Sequence, residues 1–262
     1  MHQYLFFIGN FPIRLYGIFF SLGIISGCIT AYFLLKKDRR GWESHMFDLG
    51  LVIAFAGIVG GRLWDVFFFD WEYYHNHLLE IPYIWQGGMA IQGGIIFACI
   101  AAYFYLKKHQ IPVLPFADTV TPGIILGQAI GRIANFMNGD AFGHPTGQDF
   151  GLLYPDTTLA YHTYGAQPLW PAEVWECQGD LLIFVLLLWY GCKTRAEGTT
   201  FCLYIMFYSL LRFFLENYRG DYGTLALGLK SAQLTGLAAF AGAFILFLYF
   251  HFKHKSKSGI SE

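Results

Sequence analysis

Apolar positions along this chain come in continuous blocks close to twenty residues long, without strict alternation. A block of that length is what an α-helix needs to cross about 30 Å of hydrocarbon. A transmembrane barrel would instead show short alternating strands. The pattern predicts an all-α polytopic membrane protein with about seven transmembrane helices, over about 16–35, 47–69, 88–106, 120–138, 174–191, 199–215 and 232–252. Between them lie an aromatic, water-facing segment over 70–85 and a polar connection over 139–170, rich in glycine, proline and tyrosine. That connection reads as a structured extracytoplasmic loop rather than a helix. No internal repeat and no soluble domain interrupts the blocks, so the 262 residues read as one integral-membrane domain.

Charge orients the blocks. Lys36, Lys37, Arg39, Arg40, Lys107, Lys108, Lys193, Arg195 and the three tail lysines fall at one set of span ends. Arg14, Arg62, Arg132, Arg212, Arg219 and Lys230 fall at or near the other. Basic residues collect on the cytoplasmic side, which puts the N-terminus outside and the C-terminus in the cytoplasm. The first span has its positive charge after it, so it reads as a retained span rather than a signal peptide. A net charge of −1 gives no basic excess for nucleic acid. The cysteines at 28, 99, 177, 192 and 202 lie in or beside apolar runs with no metal-ligand spacing, and read as buried, inert thiols.

Charge inside an apolar block points to function. An arginine at the centre of a membrane helix costs about 2.5–3.5 kcal/mol on insertion scales, so it persists where an anionic partner or a wet cavity compensates it. Arg132 closes one block and is followed by Asn135, Asn138 and Asp140. Gln128, Arg132 and Asn135 share a helix face at i, i+4 and i+7. Gly123, Gly127 and Gly131 recur at four-residue spacing, which lets a neighbouring backbone approach closely. Near the end of another block, Arg212, Glu216 and Arg219 are spaced to line one helical face. There a glutamate neutralises one arginine and leaves the other for an external anion, or all three form an internal ion triad. Guanidinium forks match phosphate oxygens in a bidentate way, and a lipid phosphate is the expected partner. Two glycine pairs, Gly87-Gly88 and Gly93-Gly94, bracket Gln92 in an otherwise apolar stretch. A buried glutamine there needs hydrogen bonds from neighbours or from a cavity.

The run Gly131-Arg-Ile-Ala-Asn-Phe-Met-Asn-Gly-Asp-Ala-Phe-Gly143 resembles the signature of the prolipoprotein diacylglyceryl transferases. So do Leu15-Tyr16-Gly17, Gly60-Gly61-Arg62-Leu63, the stretch 87–94, Asp118 fourteen residues before Arg132, Pro171-Ala-Glu-Val-Trp-Glu176, and Arg212 with Glu216 and Arg219. These follow family order over essentially the whole chain.

The resemblance implies an enzyme of the bacterial cytoplasmic (inner) membrane. It would move the diacylglyceryl group of phosphatidylglycerol to the lipobox cysteine of a prolipoprotein, with glycerol 1-phosphate leaving and no metal or organic cofactor. It assigns phosphate clamping and leaving-group stabilisation to Arg132 and Arg212, and a phosphate- or thiol-positioning role to Tyr16. Asn135, Asn138, Asp140, Gly143 and Arg62 are expected around the head group. Asp118, Glu176, Glu216 and Arg219 are expected to support the arginines. This chain departs from common family residues at three positions. Gln92 stands where many members carry His or Tyr, Asp140 where Glu is usual, and Trp170 where His is common. An amide cannot take a proton from a thiol, so a base role at this position is not available to Gln92. Other readings of the same residues are a small-anion transporter or channel, a different phospholipid head-group transferase, and an inactive homologue that binds lipoprotein signal peptides. Neither an inverted repeat nor the aspartate cluster of the metal-dependent alcohol phosphotransferases is present in the sequence.

Overall fold

The computed structural model describes residues 3–9, 11–191, 196–220 and 228–258. Cys192, Lys193 and Arg195 lie outside the described residues. The chain opens with an antiparallel ribbon, β1 (Tyr4–Ile8) and β2 (Phe11–Arg14), the one departure from helix among the described elements. Helices follow as α1 (Leu15–Asp38), α2 (Met46–Trp64), the short α3 (Trp71–Tyr74), α4 (Ile91–Lys108), α5 (Val113–Asn138), the short α6 (Leu159–Tyr164), α7 (Ala172–Gly191), α8 (Thr199–Leu215) and α9 (Ser231–Ser258). The helix α5 begins seven residues before the expected start, because Pro115 falls in its first turn, where a missing N–H costs nothing. The α6 helix breaks the expectation of a helix-free connection over 139–170. Its start is capped by the Thr158 hydroxyl, which accepts from the Tyr161 amide.

Five of these segments are long and apolar enough to cross a membrane: Leu15–Asp38, Trp42–Phe69, Val113–Asn138, Thr199–Tyr218 and Ser231–Lys255. The other two expected spans, α4 and α7, are helical but are not among these five. The 18-residue α4 ends in Lys107 and Lys108, and α7 carries Glu173, Glu176 and Asp180, all buried. Large side chains point outward from the middle of the helices. Leu51 and Phe55 on α2 are each 72% exposed. A water-soluble surface would not carry such belts, whereas lipid accepts them.

The chain forms two compact units. The first comprises the residues up to Leu34 and from Ala117 onward; the second is Leu35–Phe116. In the first, α1 and α5 cross backbone to backbone. A Cβ on Gly23 or Gly27 would lie 2.7 Å from the carbonyl oxygen of Gly127 or Gly123. The expected glycine seam is therefore real for Gly123 and Gly127, and its partner is α1. Gly131 is not part of it, because a Cβ there meets nothing within 4 Å. The second unit repeats the device. Gly60 on α2 and Gly93 on α4 lie against each other, and a Cβ on Gly60 would sit 2.6 Å from the Gly93 carbonyl oxygen. Among the described residues four cysteines are free thiols, and of these only Cys202 is buried; Cys99 is exposed and Cys28 and Cys177 are half-buried.

Candidate active site

The polar faces read from the sequence meet in the first unit. On α5, Gln128 and Arg132 are one turn apart, and on α8 so are Tyr204 and Tyr208. The Tyr204 hydroxyl donates to Gln128 Oε1 at 3.0 Å, and Arg132 Nη2 donates to the Tyr208 oxygen at 3.4 Å. Glu176, from the first turns of α7, closes the arrangement. Its Oε1 lies 2.9 Å from Arg132 Nη2 and accepts from Tyr208 at 3.2 Å. Its Oε2 lies 2.9 Å from Arg212 Nη1 and 3.6 Å from Arg219 Nη1. Glu216 pairs with Arg212 Nη2 at 2.9 Å and lies 3.9 Å from Arg219 Nε. Both glutamates are fully buried, but the side chains of Arg132 and Arg212 keep 19% and 14% of their surface. The two arginines therefore converge on one carboxylate and keep part of their side-chain surface accessible.

This corrects the simple picture of one glutamate between two arginines. Glu176 is the common partner of three guanidinium groups, and both alternatives for Arg212, Glu216 and Arg219 are partly realised. Arg219 also does not lie on the helix. The α8 helix ends at Leu215, a 3-10 turn covers Glu216–Tyr218, and Arg219 is extended at φ −77° and ψ 142°. The backbone of Arg219 forms a β-bridge with Gly143. Gly220 N donates to the Phe142 carbonyl at 3.0 Å, and His144 N to that of Tyr218 at 2.9 Å. Gly143 has no room for a side chain, because a Cβ would collide with the backbone of Trp170. The signature glycine is thus where the loop locks onto the extended backbone of Arg219.

A hydrogen-bonded thread runs along the signature itself. Arg132 Nη1 donates to Asn135 Oδ1 at 3.2 Å, Asn135 Nδ2 to Asp140 Oδ1 at 2.7 Å, and Asn138 Nδ2 to Asp140 Oδ2 at 2.9 Å. Asp140 thereby fixes both asparagine amides and, through Asn135, the orientation of Arg132. Tyr16, at the start of α1, lies within electrostatic reach of Asp140 and Arg132. Asp118 is set apart from the arginines. Its carboxylate caps α8, accepting from Gly198 N at 2.7 Å and Phe201 N at 2.8 Å. A carboxylate there meets otherwise orphaned amides at a helix N-terminus.

Three participants were not foreseen. Tyr208 bridges Arg132 and Glu176; the signal for it was the four-residue rhythm of Tyr204, Tyr208, Arg212 and Glu216. Asp180, one turn beyond Glu176 on α7, is fully buried, and neither carboxylate oxygen has a hydrogen-bond partner among the described residues. Glu173 accepts a hydrogen bond from Tyr154, which pins the 139–170 connection to α7. Burial, and then the Glu173 carboxylate, push the Tyr154 phenol well above its ordinary range.

Arg62 and Gln92 lie in the second unit. Arg62 is buried in a cage of acceptors. Its Nε donates to the Ile81 carbonyl at 2.7 Å, Nη1 to those of Gly87 and Gly88 at 2.6 and 3.0 Å, and Nη2 to Tyr74 Oη and the Glu80 carbonyl at 3.0 and 3.2 Å. These bonds hold the aromatic segment after α2 in shape and occupy every donor of the fork. Gln92, expected to be buried, is exposed in the first turn of α4. Among the described residues no three His, Cys, Asp or Glu side chains are grouped as metal ligands.

The family model for prolipoprotein diacylglyceryl transferase matches residues 3–249. Relatives called phosphatidylglycerol–prolipoprotein diacylglyceryl transferase share this similarity along their length. The one from Clostridium botulinum (strain Langeland) is 35% identical over 235 residues, covering 89% of this chain and 91% of the relative. That from Staphylococcus saprophyticus is 35% identical over 234 residues, covering 88% and 82%. That from Halalkalibacterium halodurans is 32% identical over 245 residues, covering 92% and 84%. With Arg132, Arg212 and Arg219 gathered at one carboxylate and a match over nearly the whole chain, this protein belongs to the prolipoprotein diacylglyceryl transferase family.

Proposed function

We propose that this chain transfers the diacylglyceryl group of phosphatidylglycerol to the sulfur of the lipobox cysteine in a prolipoprotein and releases glycerol 1-phosphate. The observation that carries the reading is the meeting of Arg132 and Arg212, from separate helices, at Glu176, with part of each side chain still accessible. The lipid phosphate binds against that accessible surface. The cysteine sulfur attacks the glycerol carbon, the C–S bond forms, and the C–O bond to the phosphate breaks with its electron pair passing to the phosphate oxygen. The thiol proton leaves to the product phosphate or to water. Charge develops on the leaving oxygen, and preorganised guanidinium groups in a dry site stabilise it. The same positive field favours thiolate over a thiol whose unperturbed pKa is about 8.5.

In this reading Glu176, Glu216, Tyr208 and Arg219 keep the two forks aimed, and Asp140 holds Asn135 and Asn138 beside the head group. Tyr16 donates to the phosphate or positions the thiol. Arg62 serves the fold of its own loop, and Gln92 offers hydrogen bonds rather than a base. Seven spans, with the N-terminus outside and the C-terminus in the cytoplasm of a bacterial inner membrane, place the arginines near the outer leaflet. The charge asymmetry of the sequence supports that orientation.

The test is a transfer assay with labelled phosphatidylglycerol and a lipobox peptide, with and without its cysteine. Transfer to the cysteine peptide alone is the expected result, and none with the purified protein would refute the reading. Arg132→Ala and Arg212→Ala are each expected to lower kcat by about 10²–10³-fold, the range for losing one preorganised donor. Arg212→Lys is expected to be poor too, because a point charge cannot span two acceptors. Near-normal turnover in either alanine variant would remove the phosphate-clamp role.

A further inference from the structure

A second polar site lies against the N-terminal ribbon, open on one side to the surface, where Tyr4, Arg14 and Thr157 are exposed. Gln3, Tyr4, Arg14, Asn138 and Thr157 line a cavity of about 200 Å³. Its walls are tied together: Gln3 Nε2 donates to the carbonyl of Asn138 at 3.1 Å and to that of Thr157 at 3.3 Å. Tyr4 and Arg14 are partners across the ribbon, and the Arg14 guanidinium carbon lies 5.9 Å from the centroid of the Tyr4 ring. Asn138 belongs to both sites. It lines the cavity, and its amide ends the thread that runs through Asp140 and Asn135 to Arg132.

The lining specifies the ligand's chemistry. A guanidinium asks for an anion with oxygens in a plane it can fork. The hydroxyl, amide and carbonyl groups of Tyr4, Thr157, Gln3 and Asn138 suit a ligand with hydroxyls that both donate and accept. Walls of this kind reject an acyl chain, since their polar groups would go unpaired. We propose that this cavity is a glycerol-phosphate subsite, with Arg14 as its anion contact. The inference rests on the transferase reading for its ligand, which has two sources: the head group of the lipid before transfer and the free product after it. Three hydrogen bonds join the cavity to Arg132, so a glycerol phosphate released at the arginine pair has a polar neighbour site to occupy.

The experiment titrates the purified full-length protein, in detergent free of phosphatidylglycerol, with glycerol 1-phosphate and separately with inorganic phosphate, by calorimetry. The variants are Arg14→Gln, Arg14→Lys and Thr157→Val. Arg14→Gln is expected to weaken glycerol 1-phosphate about tenfold, and Arg14→Lys, which keeps the charge but loses the fork, by an intermediate factor of about threefold. Thr157→Val is expected to weaken glycerol 1-phosphate but not inorganic phosphate. If Arg14→Gln disturbs the ribbon and melts early, Thr157→Val, outside the ribbon, carries the test. Transfer assays separate the sources. A higher KM for phosphatidylglycerol in Arg14→Gln assigns the cavity to the lipid head group, whereas weaker product inhibition at unchanged KM assigns it to the free product. Wild-type binding by both Arg14→Gln and Thr157→Val overturns the proposal. The titration needs no turnover, so a protein without transfer activity would refute the transferase reading and leave the cavity to be judged by its own binding.

Discussion

Two acidic side chains one turn apart on α7 lie within electrostatic reach of the same arginines, Arg132 and Arg212, but differ in their hydrogen bonds. Glu176 accepts from or pairs with Arg132, Tyr208, Arg212 and Arg219. Asp180 is just as buried but has no hydrogen-bond donor on either oxygen among the described residues. Removing one partner of a buried ion pair strands the other charges and costs about 3–5 kcal/mol. Removing a buried polar group that nothing satisfies is nearly neutral or stabilising. Glu176→Leu is therefore expected to lower the melting temperature sharply, and Asp180→Leu to leave it unchanged or raise it, as read by thermal unfolding in detergent. Equal losses in the two variants would mean that Asp180 has a partner as strong as those of Glu176. The arginines were visible in the sequence because a full charge in an apolar block has few excuses. Tyr208 was not, because a tyrosine among apolar residues looks like any other interfacial aromatic. Glu176 entered through the family resemblance, since one glutamate near a span end carries little signal by itself.

Close packing between helices depends on a few glycines. At Gly127, a side chain would run into the backbone of Gly23, with 2.9 Å between a Cβ and the Gly23 carbonyl oxygen; at Gly131 there is open space. Backbone cannot yield as a side-chain tip can, and overpacking costs at least about 1–3 kcal/mol. Gly127→Leu is expected to fold poorly and to lose transfer with it, while Gly131→Ala keeps the wild-type melting temperature. A Gly127→Leu protein as stable as wild type would show that α1 and α5 do not meet there. The helices themselves were legible, since the blocks at 16–35 and 199–215 correspond to α1 and α8 within a few residues. The partner of the α5 glycines was hidden, because spacing reveals a face but not what covers it. The ribbon before α1 was missed as well, because a few aromatic residues ahead of a span do not show which segment they pair with.

At the scale of the whole molecule, the accessible arginine surface works only if it opens toward the leaflet from which substrate arrives. The gathering of basic residues at alternate loops predicts that orientation. A reporter active only in the cytoplasm is expected to work when fused after residue 258 and to fail when fused in the 139–170 connection. The reverse pattern would invert the molecule and face the site inward. Glu176 adds a constraint on change over time. One carboxylate serves three guanidinium groups contributed by α5, α8 and the extended residue that follows the turn after α8, so altering any of the four resets the field felt by the rest. Hybrids assembled from two relatives have to inherit positions 132, 176, 212 and 219 from a single parent, however freely the lipid-facing sides of the same helices are exchanged.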